Sequence, residues 1–392
     1  MNRKTYFFRA VLSVLLAVLC MVQPTFAAEV TSNNNFILSD NEILNAVSPL
    51  IKAEEAFYDV YDVSVEIIEE LEKTDGSYDV RCEIVFDMCL KADSVEELPY
   101  VAGMLNEIGV STAEAVYAMS DDLVTTSRAA TVTQQNLIAA QVANEIKEIE
   151  SNIANDITLA FSILINAEED GTINATLGCG EPNSDGEFTT FPLSDYFPAN
   201  ADEMYSNGAS TVSEVAMQLN SNAVMPCVVI ATNYDRIAAR DYAMTYSSNA
   251  SYSEVCPHGK HYINLSYYND DYEYYCHTDC ANFVSQAIYA GGIPTDSTWQ
   301  AGEVAWINVP AMHRYFFTTK HYWGLSTYEK CNAGGIIINS DSDGMYHINM
   351  CVLNDTVNHA YAAHNNDRRN MAFTSNYWSD PTTFYTFLVK TF

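Results

Sequence analysis

Cys280 opens the run Cys280-Ala281-Asn282-Phe283-Val284-Ser285-Gln286-Ala287-Ile288-Tyr289-Ala290, which follows Thr278-Asp279 and ends at Gly291-Gly292-Ile293-Pro294. Thr and Asp are helix-capping residues, the run contains neither Gly nor Pro, and Gly-Gly followed by Pro stops a helix. The spacing therefore predicts one short helix with Cys280 in its first turn. Unpaired amide N–H groups and the positive end of the helix dipole favour a thiolate at that position, which is what a nucleophilic cysteine needs. Asp279 beside it pushes the other way. The plainer reading of Cys280 is a small buried hydrophobe.

A thiolate that attacks an amide needs a base to take and return a proton, and a further group to orient that base. All eight histidines lie between positions 258 and 364, and two of them, His347 and His364, flank Asp355-Thr356. If Asp355-Thr356 is a two-residue hairpin turn, the register sets His347 directly opposite His364, with Cβ atoms about 5 Å apart. A loop one residue longer brings Asn365 opposite instead. On this reading His347 is the base and acid and His364 its orienter, with Asn366 and Asp367 as alternative orienting groups. The Cys280 amide, together with a side chain from Tyr275 or Asn282, is the candidate donor set for the oxyanion.

The elements that must position these groups are legible from periodicity. The Cys280 helix is apolar on most of its surface and should be buried. A helix over Asp235–Tyr246 precedes it, and strands are expected at Gly335–Asn339, Tyr346–Leu353, Asn358–His364 and Phe384–Phe392, separated by Asp, Asn, Gly and Ser clusters. Upstream, a helix is expected at Asn41–Phe57, then a hairpin of Val63–Leu71 and Tyr78–Leu90 around Thr74-Asp75-Gly76-Ser77, then a helix at Ser94–Ile108. A helix at Gln134–Ile153, strands at Ile157–Ala167 and Thr172–Cys179, and an acidic helix at Asn200–Leu219 complete the N-terminal part. Helices and antiparallel strands in this order make an α+β chain.

Three ordered motifs resemble the bacterial putative amidase domain family, which is grouped with the papain-like and CHAP-like cysteine hydrolases. They are Tyr234 to Tyr252 (YDRIAARDYAMTYSSNASY), DCANFVSQAIYAGGIP from Asp279, and His364 to Asn370 (HNNDRRN). Trp306-Ile307-Asn308-Val309 is similar to a segment of that family expected to line its pocket, and His347 follows Gly334-Gly335-Ile336-Ile337 much as the family's histidine follows its Gly-Asp-Ile-Ile. The resemblance implies a papain-like (NlpC/CHAP-like) catalytic domain over residues 228–392, with helices packed on an antiparallel sheet. It implies hydrolysis of amide bonds, in cell-wall peptides or other peptides, through a thioester on Cys280 and without a cofactor. Tyr346 stands where relatives carry Asp, and Asn365 where they often carry Thr, which bears on the orienter and the substrate contacts.

Charge and leader segments bound the setting. The chain carries 18 Lys and Arg against 51 Asp and Glu. Residues 1–227 hold 36 of the acidic and 9 of the basic side chains, a net of −27, against −6 for the remainder. Such a balance argues against nucleic acid or anionic lipid as partners. Residues 28–222 are therefore expected to form a separate acidic α+β accessory region. Met1 to Ala27 reads as a secretory signal peptide, with Arg3, Lys4 and Arg9 ahead of an apolar run and a small-residue end. No later run reaches the ~18 apolar residues of a membrane span, so a secreted or cell-surface bacterial protein is expected. Nothing in the chain specifies an oligomeric state.

A rival reading assigns Cys256, His258, His261, Cys276, His277 and Cys280 to zinc, which would leave a non-catalytic surface-binding module. A Cys256–Cys276 disulfide holding the loop ahead of Cys280 is the other way to use two of these cysteines.

Overall fold

The hairpin around Thr74-Asp75-Gly76-Ser77 forms as β1 (Tyr58–Glu72) and β2 (Tyr78–Leu90), with Gly76 supplying the left-handed turn residue at φ 83°. This is seen in a computed structural model of the chain, which describes residues 38–126, 134–153, 155–178, 189–196, 200–222, 234–249, 253–256, 259–276, 278–374 and 384–389. The expected signal peptide lies outside the described residues. Among those described, no helix is long and apolar enough to cross a membrane.

The helix expected over Asn41–Phe57 is two helices, α1 (Asp40–Ala46) and α2 (Ser48–Glu54), because Pro49 starts a new helix at its second residue. Pro99 likewise starts α3 (Pro99–Ile108) after a separate 3₁₀ turn at Val95–Glu97, where Ser94 makes no side-chain cap. α4 (Ala113–Thr126), a helix not among those expected, precedes α5 (Gln134–Ile153). β3 (Ile157–Ala167), β4 (Ile173–Gly178), a short β5 (Thr190–Pro192) and α6 (Ala201–Asn222) follow.

The C-terminal part contributes α7 (Arg236–Thr245), the small hairpin β6 (Ser253–Cys256) and β7 (Gly259–Tyr262), then α8 (Cys280–Ala290), α9 (Val304–Ile307) and α10 (Val309–His313). Strands β8 (Trp323–Ser326), β9 (Ile336–Asp341), β10 (Gly344–Asn354), β11 (His359–Ala363), β12 (Arg368–Ala372) and β13 (Phe384–Val389) complete it. The architecture is mixed α+β with a mainly antiparallel sheet, as expected.

The acidic N-terminal part is not set apart from the rest. One sheet runs in the order β1-β2-β3-β12-β11-β10-β9-β13-β8, and β4 shares an edge of β3. β12 meets β3 in parallel at Met371 and Ala160, and Leu38–Phe392 is a single compact unit. The physical reason is the edge of β3. Its C-terminal half pairs with β4, while its start would otherwise present unpaired backbone groups. Ion pairs to buried carboxylates tie the same two regions together. Arg368 lies 3.6 Å from Glu83 of β2, and Arg236 at the start of α7 lies 2.9 Å from Glu148 of α5.

The sheet has two distinct faces. Ile336, Ile338, Ile348 and Met350 share an apolar cluster with Ala281, Phe283, Val284 and Ala287 of α8, whereas Ile337, Cys351, Tyr361, Ala363 and Met371 form a second cluster. Residues alternate between faces along a strand, so α8 covers one face only. Trp299, Trp306 and Phe316 wedge against α8 from its outer side as fully buried rings, so the Trp306 segment backs the helix.

Candidate active site

α8 begins at Cys280, and every residue from Cys280 to Ile288 is buried. Its polar side chains are matched. Ser285 Oγ donates to the Trp306 carbonyl at 2.9 Å and accepts from Trp299 Nε1 at 3.1 Å, while Gln286 accepts from the Tyr242 hydroxyl at 2.6 Å. α7 is held close by two small residues. A Cβ on Gly291 would fall 2.5 Å from the Tyr234 ring, and one on Gly334 (φ 76°) 2.9 Å from the Arg236 carbonyl.

Asp279 stands at the N-cap in αR geometry and makes no cap hydrogen bond. Its carboxylate is used elsewhere. Oδ1 accepts from the Tyr275 amide at 3.0 Å and from Asn282 Nδ2 at 2.8 Å, and Oδ2 lies 2.7 Å from Nδ1 of His364. His364 Nε2 lies 2.6 Å from the carbonyl of Tyr246, at the C-terminus of α7. Both ring nitrogens thus face acceptors, a carboxylate and a carbonyl. A neutral imidazole has one N–H and satisfies only one of them, whereas an imidazolium satisfies both. The negative end of α7 adds to its stabilisation. The ring is 2% exposed and lies between Tyr268 and Phe283, stacked at 3.8 and 4.1 Å between centroids.

The expected oxyanion donors are otherwise engaged. Asn282 Nδ2 donates to Asp279 and to the Glu273 carbonyl, and its Oδ1 accepts from Trp306 Nε1. The Tyr275 hydroxyl points to Glu273 at 3.4 Å. The amide at the start of α8 is left as the donor with helix geometry in its favour.

His347 does not pair with His364. Asn354 opposes His359 across a four-residue loop, Asp355–Asn358, instead of the expected two-residue turn, and the register shifts between Cys351 and Leu353 so that Met350 opposes Ala362. Asp355 builds this longer loop by accepting from the amides of Val357 and Asn358 at 3.0 and 2.8 Å. A one-residue change of register moves a side chain to the other face of a sheet. His347 opposes Asn339, and Asn349 opposes Ile337, which puts His347 on the face away from α8. Burial there drives its pKa down to about 4. His364, one residue past Ala363, is on the α8 face, where it meets Asp279 and Phe283.

Asn365 and Asn366 carry the chain out of β11 at φ 70° and 136°, backbone that few non-glycine residues adopt. The turn brings Asp367 back beneath the site. Its Oδ1 accepts from the Tyr268 hydroxyl at 2.8 Å, and its Oδ2 from the Asn264 amide at 2.8 Å and Ser248 Oγ at 3.3 Å. Of the expected site residues, the structure therefore gathers Cys280, Asp279's partner His364, Asn282, Tyr275 and Asp367 around the start of α8, and leaves His347 apart. Tyr268, Phe283 and the Tyr246 carbonyl were not anticipated. Tyr268 stands in a Tyr-rich loop that gives no sign of which ring will stack.

Of the residues weighed as zinc ligands, His258 and His277 lie outside the described residues. Cys256 and His261 belong to the β6–β7 hairpin, opposite Gly259 and Glu254. Among the described residues, no group of three or more His, Cys, Asp and Glu is placed to hold a metal ion.

A helix-borne cysteine set against an antiparallel sheet, with a carboxylate–imidazole pair at the start of the helix, makes up the candidate site. Residues 233–388 match the family model described as the putative amidase domain, the family that the motifs around Cys280 and His364 resemble. The chain is also similar to an uncharacterized protein of Bacillus subtilis (strain 168), YjcM, at 31% identity over 96 residues, which is 24% of this chain and 19% of that protein. The matched stretch thus spans about a fifth of that relative's length. No solved structure matches the chain significantly.

Proposed function

We propose that the chain is an exported, papain-like cysteine hydrolase that cleaves an amide bond in a peptide, with cell-wall peptides as the first class to test. The observation that carries this is the placement of Cys280 as the first residue of a buried helix, directly after a carboxylate that lies 2.7 Å from Nδ1 of His364. The helix N-terminus favours thiolate over thiol, and so does His364 in its protonated form.

In the cycle that follows, the Cys280 thiolate attacks the carbonyl carbon, forming a C–S bond and an oxyanion that the amide at the start of α8 receives. The C–N bond breaks as His364 gives a proton to the leaving amine. Nδ1–H is locked by Asp279, so the proton on Nε2 is the one transferred once substrate displaces the Tyr246 carbonyl. Neutral His364 then takes a proton from water, the hydroxide adds to the thioester, and the thiolate leaves. The net reaction consumes one amide and one water. In this proposal Asp279, His364 and Cys280 take the roles that carboxylate, imidazole and nucleophile have in acyl-transfer triads. His364 replaces His347 as the base because it lies on the helix-covered face.

The test compares peptide and peptidoglycan turnover by wild type with turnover by Cys280→Ser. A loss on the order of 10³-fold or more is expected. Equal turnover by the two proteins would end the assignment of Cys280.

A further inference from the structure

The fold devotes more structure to His364 than acid–base chemistry needs. One ring face lies on Phe283 of α8 and the other on Tyr268, with interplanar angles of 22° and 24°. Tyr268 is itself fixed. Its hydroxyl donates to Asp367, whose other oxygen is held by the Asn264 amide, and Tyr274 packs edge-on against its ring at 5.2 Å. An aromatic face attracts a cation, and a sandwich of two does so from both sides of a ring that is buried in the resting structure. Asp367 adds a second carboxylate behind the first.

We infer that Tyr268, tethered by Asp367, is a positioning residue that clamps His364 flat against Phe283 in its doubly protonated form. The inference rests on the proposed reading of the Cys280 site and deepens it. The charged and titratable groups around the ring are Asp279, next to Cys280, on the α8 side, Tyr268 on the opposite ring face, and Asp367 behind Tyr268. The Tyr246 carbonyl from α7 adds a polar partner. Tyr268→Leu removes the ring and the tether, Tyr268→Phe keeps the ring without the tether, and Asp367→Asn keeps the ring but weakens the tether and removes the second carboxylate.

The full chain, labelled with ¹⁵N-histidine, gives a readout that does not depend on turnover. His364 is assigned by comparison with His364→Gln, and its ring nitrogens are followed with pH. In the wild type both nitrogens are expected to be protonated at pH 7. Tyr268→Leu is expected to lower the titration midpoint by on the order of one pH unit or more. Tyr268→Phe should keep most of the wild-type midpoint, and Asp367→Asn should fall between. Where turnover is measurable, the pH profile of kcat/KM should move with the midpoint, and Tyr268→Phe should rescue what Tyr268→Leu loses.

A neutral His364 in the wild type overturns the inference. So does an unmoved midpoint in a folded Tyr268→Leu protein. If that variant does not fold, a midpoint in Asp367→Asn identical to wild type overturns it instead. Absence of any amide turnover by the wild type would sink the hydrolase reading, and the nitrogen titration would still judge the clamp.

Discussion

His364 Nδ1 and Asp279 Oδ2 are 2.7 Å apart, and both side chains are almost wholly buried. Removing one member of a buried pair strands the other, which typically costs 3–5 kcal/mol. Asp279→Asn should therefore lower the urea unfolding free energy by about 3 kcal/mol and slow alkylation of Cys280 by iodoacetamide at neutral pH. Unfolding and alkylation curves that superimpose on wild type would contradict the pair.

The two histidines separate cleanly by mutation. His364→Gln should reduce turnover by about 10² to 10⁴-fold, the usual contribution of a general acid–base. His347→Gln, altering a side chain on the opposite face, should keep most of the turnover and change stability instead. The reverse pattern in steady-state kinetics would return the base role to His347.

Two buried groups should bend the pH dependence of stability in opposite directions. Glu54 accepts from Tyr196 and Asn358, and burial raises its pKa to about 7. The folded state then binds its proton more tightly than the unfolded chain, so this contribution is complete below about 4.5 and is lost as pH rises to about 7. His347 behaves in the opposite sense. Burial lowers its pKa to about 4, so its contribution is present above about 6.5 and is lost as pH falls through 4. Each amounts to about 3 kcal/mol. Relative to wild type, Glu54→Gln should lose a component of stability that falls between pH 4.5 and 7, and His347→Gln one that rises between pH 4 and 6.5, both read as the difference from wild-type denaturant titrations at each pH. Identical slopes in the two variants would refute the assignment.

Cutting the chain before residue 228 should destroy the fold. The remaining fragment loses β3, the partner of β12, and leaves Arg368 and Arg236 without Glu83 and Glu148. The expected product has no cooperative thermal transition by circular dichroism. A soluble fragment that unfolds cooperatively would show that the shared sheet is dispensable.

Much of the local structure was legible before any coordinates. The β1–β2 hairpin follows from Asp-Gly between β-branched runs, and α8 from cap, apolar run and stop. α5 and β3 fall on Gln134–Ile153 and Ile157–Ala167 as periodicity indicates. Prolines begin new helices at Ser48 and Pro99 where apolar periodicity alone runs on unbroken, and β8 and β12 are too short to announce themselves.

The sequence by itself determined that Cys280 would open a buried helix and that histidines would gather on strands after it, because caps, stops and alternation act over a few residues. Which imidazole reaches that helix was decided by tertiary structure. Asp355 folds a longer loop while its carboxylate accepts from Tyr58, about 300 residues earlier in the chain, at 2.7 Å. The longer loop and the shift beyond Cys351 change the parity of the strand, and parity sends His347 to one face and His364 to the other. The joining of the acidic region to the rest was equally a matter of long range, since a strand edge is completed by whichever partner the whole fold brings beside it.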